Sequence, residues 1–184
     1  MFIDFFSIDG NDFSISLLSV SDSKPITEYY KRNNEYLKKW EPRTNENIEI
    51  QSSWQKYISS IIKDYNLAKF FSFTIKIKNE IIGLINISDI KKYPNYSCNI
   101  SYSIDKRYQN KGIMKSSIIK VLGWMAKYQK IRCVTAYCMT NNKKSLKLLT
   151  SINFKKIGLF EDYAIVNKEW ENFFLLKKHL TQTI

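Results

Sequence analysis

The residues best placed to do chemistry lie in one polar turn, Tyr108-Gln109-Asn110-Lys111-Gly112-Ile113-Met114-Lys115, which holds a single glycine. Residues 99–104 before it alternate apolar and polar, as a half-buried strand does. After it, Met114, Ile118, Val121, Leu122, Met125 and Tyr128 recur at helical spacing and form one apolar stripe. A strand therefore feeds a helix through a short connection, and about four amides at the helix start have no partner inside the helix. Converging, and backed by the positive end of the helix dipole, such amides make an anion site. Gly112 has no glycine five residues upstream, which excludes a Gly-x-x-x-x-Gly-Lys-Ser/Thr phosphate loop; the Gly-x-Gly-x-x-Gly dinucleotide fingerprint is also absent. Taken alone, the pattern fits an anion site and an ordinary βα connection equally well.

Other reactive residues are few. Cys98, Cys133 and Cys138 lack Cys-x-x-Cys spacing, and His179 is the only histidine. This inventory argues against a metal site, a disulfide framework and a histidine-based triad. No cysteine has a histidine in sequence reach to lower its pKa, so idle thiols in a cytoplasmic protein are expected. The net charge of +12 suits a polyanionic ligand or a nucleic-acid or ribosomal partner. It equally follows from a composition rich in Lys, because the lysines are spread along the chain without a basic block. Nucleic-acid binding is not expected except through a ribosomal partner.

The elements around the turn follow from patterning. With 184 residues, 44% hydrophobic and 15% aromatic, one folded domain spanning residues 1–184 is expected. The N-terminal Met1-Phe2-Ile3-Asp4-Phe5-Phe6 is short, broken by Asp4 and without a basic leader, unlike a secretory signal. No apolar run approaches the ~18 residues of a membrane span, so no membrane partner is expected. Residues 13–17 read as a first strand. Asp22 or Ser23 caps a helix whose face carries Ile26, Tyr29, Tyr30, Asn33, Leu37 and Trp40, one polar residue among apolar ones, before Pro42 stops it. Trp54, Ile58, Ile61, Ile62 and Tyr65 mark a second helix. Residues 71–77 and 81–87 form a hairpin about Lys78-Asn79-Glu80, and 95–104 a further strand. Residues 133–138 read as a strand and Asn142 opens a short helix along Leu146, Leu149 and Ile152. Asn153 takes the left-handed position that ends it. Residues 154–157, 163–166 and 173–177 read as short closing strands. The order predicts an α+β fold, a three-layer α/β/α arrangement about a mixed, mostly antiparallel sheet.

In that order the motifs are distinctive. Gln109-x-x-Gly112-x-Met114 after a strand, Asn142-x-x-Ser145 opening a helix and then Asn153-Phe154 resemble the GNAT N-acetyltransferase superfamily. More narrowly, Asn34-x-x-Leu37-x-x-Trp40-x-Pro42 and Asn167-Lys168-Glu169-Trp170 are similar to the branch that acetylates ribosomal-protein N-termini. The resemblance spans about residues 12–180. It implies acetyl-CoA as co-substrate with no metal, its pyrophosphate held by the turn residues Gln109, Asn110, Lys111, Gly112, Ile113 and Met114. It also implies that Tyr102, Ser103 and Ile104 pair their backbone with the acetyl-pantetheine arm and that Asn142 contacts the cofactor. Ser145 would be the catalytic proton donor to the leaving thiolate. Two plainer readings remain open: Asn142 as a helix cap and Ser145 as a helix-start serine.

Three positions depart from the family pattern. Met114 replaces a small residue, Leu149 occupies the place of a tyrosine acid, and Ala164 stands where some of the branch carry a glutamate base, with Glu161 and Asp162 nearby. Without a dedicated carboxylate, an α-amine is the easier acceptor. Its pKa near 7.7–8.0 makes deprotonation at pH 7 cost about 1 kcal/mol, against roughly 4–5 kcal/mol for a lysine amine. The resemblance thus implies a cytoplasmic N-acetyltransferase, monomer or homodimer, acting by direct attack on an amine acceptor that includes a protein N-terminus. Small amines such as polyamines, amino acids or antibiotics are the alternative acceptors. A non-catalytic acyl-CoA-binding or ribosome-binding module is the alternative of a different class.

Overall fold

Alternation in the middle of the chain builds a sheet that is buried on both faces. In a computed structural model, residues 2–8, 11–42 and 49–180 are described, with side chains from residue 13 onward. Eight strands form one sheet: β1 (Phe2–Ile8), β2 (Asn11–Leu17), β3 (Phe71–Ile77), β4 (Glu80–Lys91), β5 (Ser97–Ile104), β6 (Cys133–Met139), β7 (Lys155–Val166) and β8 (Glu169–His179). Their spatial order is β1-β2-β3-β4-β5-β6-β8-β7. Every adjacent pair is antiparallel except β5 and β6. The fold is therefore the expected α+β arrangement with a mixed, mostly antiparallel sheet.

Four helices cover it: α1 (Ser23–Leu37), α2 (Gln51–Asn66), α3 (Ile113–Gln129) and α4 (Lys143–Ser151). Successive β4 residues face opposite ways, so Leu84 joins Leu18, Ile26, Tyr29, Leu37, Ile58 and Ile61 under α1 and α2. Ile85 and Ile87 join Ile118, Val121, Leu122 and Met125 under α3. Trp124 of α3 meets the edges of Phe71 and Phe73 at ring separations of 5.4 and 5.7 Å. A Cβ at Gly83 would lie 3.0 Å from the Ser103 carbonyl oxygen, so a larger residue would crowd the backbone of β5, with the Met114 methyl 3.3 Å away on the α3 side. Tyr30 stacks on Trp54 at 5.0 Å and joins α1 to α2.

Several boundaries differ from the sequence reading. The apolar N-terminus is itself a strand, β1, paired with β2 at the sheet edge. Its period is obscured by an irregularity between Ile3 and Phe5. The expected strands at 154–157 and 163–166 merge into one long strand, β7, which starts at Lys155 and whose register slips between Phe160 and Ala164. That slip leaves polar Glu161 and Asp162 where a loop was expected, and Asp162 takes φ 45°. Helix α1 stops at Leu37, and Trp40 lies in the turn that follows. Asp22 occupies the N-cap of α1, yet its carboxylate is engaged elsewhere, with Lys76 Nζ at 2.6 Å and the Ser19 amide at 3.0 Å. Asn153 does end α4 in the left-handed region, at φ 67°.

Candidate active site

The site begins where two strands part. β5 and β6 pair in parallel only through Ser97, Cys98 and Asn99 with Cys133, Val134 and Thr135. Beyond that point β5 continues to Ile104 against β4 alone, and β6 to Met139 against β8 alone. Alternate residues of an antiparallel strand turn their backbone to one neighbour. The Asp105 amide donates to the Ile82 carbonyl at 2.8 Å. Alternation then directs Ser103 toward β4 and leaves the N–H and C=O of Tyr102 and Ile104 facing the gap. A cleft of about 700 Å³ occupies that gap and runs from the turn before α3 to the end of α1.

All eleven residues singled out in the sequence line this cleft: Tyr102, Ser103, Ile104, Gln109, Asn110, Lys111, Gly112, Ile113, Met114, Asn142 and Ser145. Gly112 is the N-cap of α3 at φ 73°, ψ −14°, a conformation in which a Cβ is strained, and Asn110 two residues earlier has φ 61°. The first helical bond runs from the Ser116 amide to the Gly112 carbonyl at 3.0 Å, so the amides ahead of it lack helical acceptors. Lys144 of α4 donates to Gln109 Oε1 at 2.9 Å and ties the second helix to the turn. The lysines lining the cleft, Lys111, Lys115, Lys144 and Lys147, all belong to this end. Turn, dipole and lysines thus fit a diphosphate, and the separated strand edge fits an extended amide-bearing arm.

The two helix-start residues have separate tasks. Asn142 is a cap: its side-chain oxygen accepts from the Ser145 amide at 3.1 Å. That bond leaves the Asn142 amide nitrogen as a donor at the cleft wall. The Ser145 hydroxyl takes no part in the cap; it lies 2.9 Å from the Tyr102 hydroxyl across the gap. Burial pushes the Tyr102 phenol well above its ordinary range, although the contact with Ser145 works the other way. Burial likewise raises the neighbouring Cys138 thiol, against weaker opposing pulls from Ser145 and Lys156, so that group stays protonated near neutrality.

Patterning did not reveal what holds α1 over this cleft. Asp105, only 1% exposed, follows β5 and takes Arg32 Nε at 2.8 Å from α1 and Arg107 Nη2 at 2.9 Å. Burial works to raise its pKa, but hydrogen bonds from Arg107 and Arg32 outweigh this and hold the carboxyl far below the usual carboxylate range. Asn33, the one polar residue on the apolar face of α1, accepts from the Lys106 amide at 3.1 Å. Its Nδ2 donates to the Tyr29 carbonyl at 3.0 Å. The Tyr29 hydroxyl donates to Ser103 Oγ at 2.9 Å. The misplaced asparagine was the one available signal. Among the described residues, no group of three or more His, Cys, Asp or Glu is arranged to hold a metal. No helix among them is long and apolar enough to cross a membrane.

Comparisons with known proteins bear on this geometry. The family described as Acetyltransferase (GNAT) domain matches residues 14–155. The [ribosomal protein uS5]-alanine N-acetyltransferase of Escherichia coli K12 is 29% identical over 163 residues, covering 88% of this chain and 84% of that protein. The crystal structure of the ribosomal-protein-S5-alanine acetyltransferase from Vibrio fischeri superposes with a TM-score of 0.89 at 29% identity, covering 96% of each chain. The Mycobacterium smegmatis RimJ structure in complex with CoA-disulfide has the same fold, with a TM-score of 0.89 at 17% identity, covering 96% of this chain and 86% of that one.

Proposed function

The chain belongs to the GNAT acetyltransferase family and is an acetyl-CoA-dependent N-acetyltransferase; we propose that its acceptor is the N-terminal α-amine of a protein, taken up by a single catalytic domain. The carrying observation is the gap between β5 and β6, which ends on the left-handed Gly112 turn and contains the Ser145–Tyr102 hydroxyl pair. Relatives named as alanine acetyltransferases of ribosomal protein S5 support the choice of acceptor. So does the low cost of deprotonating an α-amine, about 1 kcal/mol at pH 7.

The residues divide the work. Amides of the turn from Gln109 to Met114 hold the diphosphate, with Lys111 and Lys144 adding positive charge. Tyr102 and Ile104 offer backbone groups along the arm. Acetyl-CoA supplies the activated thioester. The free amine forms the new C–N bond at the thioester carbon and gives up its extra proton to water, the C–S bond breaks, and Ser145 Oγ delivers a proton to the departing sulfur. Ser145 is reprotonated in turn from Tyr102 or solvent. A thiol pKa near 8.5 makes that thiolate a tolerable leaving group, so the general acid assists without being indispensable.

The test is release of free thiol from acetyl-CoA with a panel of N-terminal peptides and small amines. Turnover fastest with alanine- or serine-initiated peptides is the expected result. Turnover confined to polyamines or free amino acids would reassign the acceptor. Thiol release with no acceptor in the panel would remove the proposal of a protein N-terminus.

A further inference from the structure

Where β5 and β6 are still paired, the sheet register brings the chain's single histidine opposite a cysteine: Cys133 of β6 faces His179 of β8. The Leu180 amide donates to the Arg132 carbonyl at 2.9 Å, which makes residues 132 and 180 a hydrogen-bonded pair. Cys133 and His179 are then the adjacent non-hydrogen-bonded pair, whose Cβ atoms stand about 4.5–5.5 Å apart on one face. At that separation the thiol and an imidazole nitrogen meet by side-chain rotation alone. Cys133 is half-buried and His179 exposed, whereas Cys98 and Cys138 are buried, at 2% and 4% exposure. Burial pushes the Cys98 thiol up to about 12 and raises that of Cys138 as well. Val134 points into the core under α3, so Cys133 takes the opposite face of the sheet. The core beneath α1 and α2 draws no residue from β5, β6, β7 or β8, so those helices do not cover this part of it. Cross-strand pairing runs on from Cys133 through Ser97 to Lys91, and the next row on the same face holds Lys177 and Lys155. These two rows contain three lysines and no carboxylate.

We propose that Cys133 and His179 form a reactive thiol–imidazole pair that exchanges with the disulfides of small anionic thiols. The imidazole takes the proton from Cys133 Sγ, and the thiolate attacks one sulfur of the disulfide. A bond forms between Sγ and that sulfur, the S–S bond of the disulfide breaks, and its second sulfur leaves as a thiolate. His179 returns the proton to that leaving group. Cys133 is thereby oxidised to a mixed disulfide, and one thiol of the reagent departs reduced. Lys91, Lys155 and Lys177 supply the positive field that draws an anionic reagent to the face. Neither member of the pair lines the cleft, whose one thiol is Cys138, so the site is separate from acetyl transfer.

The test is reaction of the full chain with dithiobis-nitrobenzoate, an anionic disulfide whose released thiolate is read by absorbance. A single thiol of the native chain should react fast, peptide masses should place the label on Cys133, and Cys133→Ser should abolish the phase. At neutral pH an unassisted thiol is only about 3% thiolate, so losing the base should slow the phase about tenfold in His179→Gln. A variant that had lost its fold would expose Cys98 and Cys138 and react faster, the opposite of that effect. Lys177→Gln should slow the anionic reagent several-fold and leave the rate with neutral dithiodipyridine unchanged. A fast label on Cys98 or Cys138, the absence of a fast phase, or an undiminished rate in His179→Gln overturns the pair. Equal rates for wild type and Lys177→Gln with the anionic reagent overturn the assigned charge class.

Discussion

The two ends of the cleft are built on different principles. The turn end is made of backbone: a left-handed glycine, unpaired amides at the start of α3 and a strand edge released from its neighbour. Its residues fall mostly within one stretch of sequence, from Tyr102 to Lys115, with α4 as the main outside contribution. The α1 end is walled by side chains brought from α1, β6, β7 and β8, which lie more than a hundred residues apart in the chain. A backbone site constrains which residue types can occupy a few consecutive positions, so it leaves a pattern. A side-chain site constrains only where distant residues meet, so it leaves none. The turn end should therefore break through conformation and the α1 end through the ion pairs that hold α1 in place.

Gly112→Trp should give the largest effect. The native φ of 73° strains any residue with a Cβ, at about 1–3 kcal/mol, and the indole would crowd the amides that face the diphosphate. Calorimetric titration with coenzyme A should detect no binding. In the wild type, ligand at a hundred times its Kd should raise stability by about 2.7 kcal/mol. A variant that binds coenzyme A like the wild type would show that the turn is not the diphosphate site.

Next comes the strut between the two ends. Asp105→Ala leaves Arg32 and Arg107 with Glu80 as their remaining carboxylate partner, on side chains that reach solvent at 29% and 51% exposure. The loss should be about 2–3 kcal/mol, below the ~3–5 kcal/mol of a fully buried pair. Because the folded carboxyl titrates below its unfolded value, this stabilisation is present above about pH 4 and fades as pH falls further. Urea unfolding of both proteins between pH 7 and pH 2 should show curves that converge at the acid end. A gap that stays constant down to pH 2 would mean that Asp105 acts through packing and not charge.

These two sites also mark how far sequence reasoning reached. The helix after Gly112, the hairpin of β3 and β4, and the α4 start at Asn142 follow from period, turn chemistry and capping, which are local. All the residues assigned to the turn end line the cleft because chain continuity puts them there. Arg32 had no local signature: it reads as a charged residue on a helix surface until α1 is laid across the end of β5. Asn33 alone broke a local rule, as a buried amide in an apolar stripe, and it marks where α1 meets Lys106. β7 was read as two strands because its register slip exposes Glu161 and Asp162 in the middle of a continuous element.

Ser145 lies at the seam between the two ends. Ser145→Ala should lower turnover about a hundredfold, the lower end of what a general acid contributes. Coenzyme A affinity should hold, because the hydroxyl faces Tyr102 and not the turn. Loss of that one hydrogen bond costs about 1 kcal/mol of stability, and Asn142 still caps α4. Full turnover with only the melting temperature lowered would leave Ser145 a structural residue.

The smallest effect tests whether Tyr102 has a role of its own. Its hydroxyl lies 2.9 Å from Ser145 Oγ, and burial keeps the phenol protonated well beyond neutral pH, so it can donate to the serine throughout the working range. Removing it leaves Ser145 its own proton but frees the hydroxyl to rotate, and the serine must be resupplied by solvent. An orienting hydrogen bond of this kind contributes about 1 kcal/mol, roughly fivefold in rate. Tyr102→Phe should therefore lower kcat about fivefold without changing the affinity for coenzyme A. If the tyrosine works only through the serine, Ser145→Ala and the double variant should have the same turnover, since the second substitution has nothing left to act on. A double variant slower than Ser145→Ala alone would show that the Tyr102 hydroxyl reaches the leaving sulfur or the acceptor independently. The seam would then hold two proton-bearing groups in parallel instead of one relay.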